Sequence, residues 1–91
     1  MCVHELIVTE LFERKSLAAL IFLIDCGREL EFRINVKDYF ISCCNSKKYV
    51  SLWCNKYEQS FDSVYELLEN AKIENIDFCV AWADAELMFL L

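Results

Sequence analysis

The sequence predicts an α+β fold: one compact domain over residues 1–91, with a mostly antiparallel sheet of three or four strands packed on one main helix (about 60–72) and one or two shorter helices. Three observations carry this expectation. Residues 29–36 alternate without a fault and place Leu30, Phe32, Ile34 and Val36 on one face of a strand. Residues 60–72 instead repeat at three- and four-residue steps, with Phe61, Val64, Tyr65, Leu68 and Ala71 on one stripe and Asp62, Glu66 and Glu69 on another side. The chain has 91 residues, enough for one small core, and 57% of them are hydrophobic, above the roughly 45–50% usual for soluble domains. Some apolar surface is therefore expected to stay exposed, which in a small protein marks a partner or a homodimer interface.

Taken in order, residues 3–15 read as a helix through Leu6, Ile7, Leu11 and Phe12, although Val8 and Thr9 are compatible with a strand. The apolar run 17–24 is short and bounded by Ser16 and Asp25, which predicts a central strand buried on both faces. Gly27, the only glycine, is then expected to turn the chain into the strand at 29–36. Residues 37–42 either continue that strand or bend away, and the polar stretch 45–48 reads as a turn. In residues 49–54, Val50, Leu52 and Cys54 share one strand face, and Tyr49, Ser51 and Trp53 share the other. Ser60 is the expected cap of the main helix, because its hydroxyl can accept an unpaired backbone N–H. Asp77 can cap a short helix through Phe78, Val80, Ala81, Trp82 and Ala85, and the apolar 87–91 is expected to be buried as a last strand or docked tail.

Composition narrows function. One Gly and no Pro exclude a Gly-rich phosphate loop and a Pro-rich linker. The N-terminus lacks the basic region of a signal peptide, and the run 17–24 is far shorter than the roughly 20 residues that span a bilayer, so no membrane contact and a cytoplasmic location are expected. Net charge is −6, unevenly spread: residues 1–56 hold eight Lys/Arg against seven Asp/Glu, a balance of +1, whereas residues 57–91 hold one against eight, a balance of −7. That distribution argues against direct nucleic-acid binding, which depends on neutralising phosphates, and favours a protein partner with a basic surface.

Six cysteines could form disulfides only in a secreted context, which nothing here indicates, so free thiols are expected. No zinc-like pair of cysteines is present, and neither a metal nor a cofactor is expected. A cysteine nucleophile would have to draw on His4, the only histidine, with Cys2, Cys43 or Cys44. Asp62 and Glu66 lie one turn apart, but on a solvated helix face they read as surface charges and not as an acid–base pair. No catalytic residue is assigned.

Two features can carry binding. Tyr49, Trp53 and Tyr57 form an aromatic set that is exposed if the sheet face away from the helix is open, and core if the C-terminal segment packs there. Asp62, Glu66, Glu69 and Glu74, with Asp77, Asp84 and Glu86, form an acidic set that either binds a basic groove or simply solvates a helix. The segment from Phe61 to Leu68 followed by Ala71, Lys72 and Ile73, preceded by short strands, resembles small acidic proteins carried by phages and mobile elements, including those of anti-CRISPR type. That resemblance implies a stoichiometric inhibitor that blocks a nucleic-acid-handling or defence protein by occupying its surface. The expectation is thus a non-enzymatic protein-binding module; the alternatives are a homo-oligomeric structural or adaptor module and a small cysteine- or metal-dependent protein.

Overall fold

A computed structural model gives the fold and describes residues 2–44 and 49–91. The turn predicted at 45–48 lies outside the described residues. The fold is α+β, as expected, with a five-stranded antiparallel sheet, a small two-stranded one, and four α-helices among the described residues.

Helix α1 (Val3–Arg14) buries Leu11 and ends at Lys15, whose φ of 51° lets its N–H close back on the Leu11 carbonyl. The run 17–24 corrects the expectation: it is helix α2 (Leu17–Asp25), not a strand. The Ser16 hydroxyl caps it by accepting from the Ala19 N–H, and Ala19, Leu20, Leu23 and Ile24 turn to the core. A short, wholly apolar run carries no period, so nothing in it separates a buried strand from a buried helix. Gly27 consequently ends a helix instead of turning a hairpin. At φ 89° its N–H bonds the Ile24 carbonyl while the Arg28 N–H reaches Leu23, which closes the helix C-terminus.

The main sheet runs β4-β3-β2-β1-β7, from β1 (Leu30–Ile34), β2 (Lys37–Cys44), β3 (Tyr49–Cys54), β4 (Tyr57–Phe61) and β7 (Glu86–Leu90). Val36 is not the last residue of β1. It sits with Asn35 in the two-residue turn to β2, at φ 60° and 93% exposed. Register puts Leu30, Phe32, Ile34, Tyr39, Ile41, Val50 and Leu52 on one face, where all are buried. Phe32 lies at the centre of an aromatic cluster, stacked on Tyr39 at 5.5 Å and edge-on to Phe78 and Trp82.

The helix predicted at 60–72 is shorter. Ser60 and Phe61 belong to β4, and α3 covers Val64–Asn70. Its cap is Ser63, which accepts from the Glu66 N–H at 3.2 Å, and the Glu66 carboxylate in turn accepts from the Asp62 N–H at 3.3 Å. This reciprocal cap ends the strand and starts the helix three residues later than Ser60 would. The buried stripe is Val64, Leu67 and Ala71, whereas Tyr65 is exposed. Nor is α3 the main helix, since α1 has 12 residues and α2 nine against its seven. A two-stranded hairpin, β5 (Lys72–Ile73) and β6 (Ile76–Asp77), leads to helix α4 (Phe78–Ala81) and a 3₁₀ turn at Trp82–Asp84. The C-terminal run forms β7 beside β1 at the sheet edge; Leu87 and Leu90 pack on the core, while Phe89 points outward.

Candidate functional site

Because the core occupies one sheet face, strand alternation sends the remaining side chains to the other. The register arranges them in rows. One row crosses all five strands in the order Phe89, Glu31, Phe40, Trp53, Glu58. On one side of it lies Glu86, Arg33, Asp38; on the other lies Ser42, Ser51, Ser60, then Cys44 beside Tyr49. With strands spaced about 4.8 Å apart, the aromatic–acidic row spans roughly 19 Å.

Hydrogen bonds hold it in shape. The Trp53 indole N–H donates to the Ser42 hydroxyl at 3.1 Å, so the ring leans into the serine row. Ser51, fully buried, donates to the Glu58 carboxylate at 2.5 Å and shares a 3.0 Å contact with the Ser60 hydroxyl. Trp53 and Phe40 remain half-buried, and Phe89 is 60% exposed. The aromatics are thus braced from below and open from above, the arrangement that lets aromatic side chains act as interface anchors.

The electrostatics of this face are negative. Arg33, its one cation among the described strand residues, is 2.7 Å from Asp38; that hydrogen bond and charge raise its pKa, with Glu86 and Glu31 adding to the shift. The same bond holds Asp38 below the usual carboxylate range. Arg33 is therefore already neutralised, and Glu31, Glu58 and Glu86 set the sign of the face.

The structure separates the residues singled out from the sequence. Tyr49 and Trp53 both lie on this open face, because the C-terminal segment extends the sheet instead of covering it. Tyr57 does not join them: it is 81% exposed, but its register with Cys54 puts it on the opposite side. Asp62 lines a cleft of about 270 Å³ with Asp25, Ser63 and Tyr49 at one end of the sheet. Glu66 is engaged in capping α3, and Glu69 is exposed on the same helix. Glu74 pairs with Lys37 at 2.9 Å and Asp77 with Lys72, so neither offers a free carboxylate. The acidic set is not one surface. Phe40, Glu31 and Glu58, not singled out from the sequence, and Phe89, expected to be buried with 87–91 but exposed on this face, are what join Trp53 into a row.

The possible chemistry is limited. Cys43 donates its thiol to the Ile24 carbonyl at 3.2 Å, and burial, then the nearby Glu29 and Asp25 charges, push its pKa up, the opposite of what a nucleophile needs. His4 accepts from the Arg28 guanidinium at 2.6 Å and faces Phe22 at 6.4 Å. Cys2, Cys26, Cys43, Cys54 and Cys79 are free thiols, and among the described residues no group of three or more His, Cys, Asp or Glu could hold a metal. No helix among them is long and apolar enough to cross a membrane.

Fold and surface together define a small α+β protein with one open sheet face. Comparisons with protein-family models, curated proteins and solved structures return no match for this chain.

Proposed function

We propose that this protein is a non-enzymatic protein-binding module that presents the open face of its sheet to a basic segment of a partner and acts by occupying that segment, as an inhibitor does. The observation that carries the reading is the row Phe89, Glu31, Phe40, Trp53, Glu58. Aromatics flanked by carboxylates suit Lys and Arg side chains, whose stems lie on rings while their charged heads reach the acids. Aromatics on an open sheet can also stack nucleic-acid bases, but a backbone of phosphates would meet Glu31, Glu58 and Glu86 with Arg33 already paired.

The test starts by capturing partners with the purified chain as bait and identifying them by mass spectrometry. Binding is then measured for Trp53→Ala, Glu58→Lys and, as a control on α3, Glu69→Lys. Trp53→Ala should cost at least about 2 kcal/mol, roughly thirtyfold in affinity, as central anchors do. Glu58→Lys should weaken binding and flatten its salt dependence, with Glu69→Lys neutral. Full binding by folded Trp53→Ala and Glu58→Lys, or loss confined to Glu69→Lys, overturns the sheet-face reading.

A further inference from the structure

Within the aromatic–acidic row, Glu31 is the one carboxylate that has an aromatic residue opposite it on both neighbouring strands. Its partner on β2 is Phe40, and its partner on β7 is Phe89. The second pairing depends on a β-bulge: Glu31 pairs with Phe89 but Phe32 pairs with Leu87, so Met88 is the extra residue and Phe89 is set on the open face, 60% exposed.

Glu31 also keeps its charge available. Glu58, at the other end of the row, accepts from the Ser51 hydroxyl, and Arg33, the nearest cation along β1, donates to Asp38 at 2.7 Å. Among the described residues, Glu31 takes part in no hydrogen bond or ion pair.

Strand spacing sets the dimensions of this place. Side chains stand roughly perpendicular to a sheet, so Phe40 and Phe89 rise about 4.8 Å to either side of Glu31 and about 9.6 Å from each other. A cation above the Glu31 carboxylate is then within the roughly 6 Å over which an aromatic ring attracts it, on both sides at once. A flat guanidinium in van der Waals contact with two rings needs them about 7 Å apart, so here it stacks on one and leaves the other. An ammonium is a compact charge with three N–H donors; it meets the carboxylate while its methylene stem lies between the rings.

We infer that Phe40, Glu31 and Phe89 form a notch that takes the ammonium group of a lysine from the bound segment in preference to an arginine. The inference rests on the open sheet face being the binding surface, and it names the side chain that face reads. Charge complementarity selects the occupant, since the notch offers one unpaired carboxylate and its neighbouring cation is already held by Asp38.

Nuclear magnetic resonance titration of the isotope-labelled chain with Nα-acetyl-lysine N-methylamide, and with its arginine counterpart, tests this. The lysine probe should shift the amides of Glu31, Phe40 and Phe89 first and bind at least about threefold more tightly than the arginine probe, the advantage of the second ring. Phe89→Ala and Glu31→Gln should each weaken the lysine probe by about threefold or more, with Glu69→Gln neutral. Equal binding of the two probes, shifts spread evenly over Asp62, Glu66 and Glu69, or undiminished binding by Glu31→Gln overturns the inference. Glu31→Gln preserves the shape of the side chain, so it decides even if Phe89→Ala fails to fold. The wider reading fails separately: a captured partner that ignores Trp53→Ala and Glu58→Lys refutes the sheet face, whereas one that needs both residues but tolerates Glu31→Gln and Phe89→Ala refutes the notch alone.

Discussion

Replacing Val36 with glycine should stabilise this protein, although it deletes a hydrophobic side chain. Val36 sits in the turn between β1 and β2 at φ 60°, after Asn35 at φ 50°. Two consecutive positive φ angles in a two-residue loop are the geometry that Asn-Gly adopts without strain. A β-branched residue there crowds its own carbonyl, at a cost of about 1–2 kcal/mol. The side chain is 93% exposed, so removing it forfeits no burial. Glycine brings greater freedom in the unfolded chain, which offsets about 0.5–1 kcal/mol of the relief. The net gain is therefore roughly 0.5–1 kcal/mol, or about 2–8 °C in Tm for a domain of this size. Thermal and urea unfolding of wild type, Val36→Gly and Val36→Asn measure it, with asparagine expected to fall between the two. A lower Tm for Val36→Gly would refute the reasoning, since it would mean that Val36 makes a stabilising contact or does not occupy the left-handed region.

Two further outcomes follow from burial and charge. Leu67 is fully buried and Leu68 only half so, and Leu67→Ala should cost about 2–5 kcal/mol with Leu68→Ala clearly less; equal losses in urea midpoint would contradict the placement of α3. The Cys43 thiol is pushed above its ordinary 9.0 by burial, then Glu29 and Asp25, and the Tyr39 phenol above its ordinary 10.0 by burial, then Cys54 and Glu74. Each folded pKa lies above the unfolded value, so the stability each contributes is present below the unfolded value and lost as pH rises through the folded one. Urea midpoints should therefore decline from about pH 9 upward, and Cys43→Ala should remove the earlier part of that slope; an unchanged slope would sink the assignment to Cys43.

Local chemistry was enough for several elements. The faultless alternation of Glu31 and Arg33 against Leu30, Phe32 and Ile34 specified a strand and both its faces, and the same period in 49–54 placed Trp53 and Tyr49 opposite Val50 and Leu52. The α+β class followed from those periods together with a helix expected at 60–72, of which Val64–Asn70 is helical. Elsewhere the residues themselves were ambiguous. The run from Leu17 to Ile24 has no polar residue to reveal a period, and only its partners, Leu11 on one side and the sheet on the other, make it a helix. Asn35-Val36 lacks the glycine that marks a hairpin, so Phe40 could not be aligned with Glu31. Ser60 and Ser63 are both competent caps, and the choice fell to Glu66, whose carboxylate reaches back to Asp62.

Which residues are apolar, which strands alternate, and that the C-terminal third is acidic were all legible in the chain before it folds. The fold then set how those acids are used, pairing Glu74 with Lys37 and Asp77 with Lys72 and leaving Glu58 in the aromatic row beside Glu31 of β1. The reason is physical: a strand's period sets which side chains share a face, but only cross-strand register sets which of them stand side by side. That row exists in five strands together and in none of them alone.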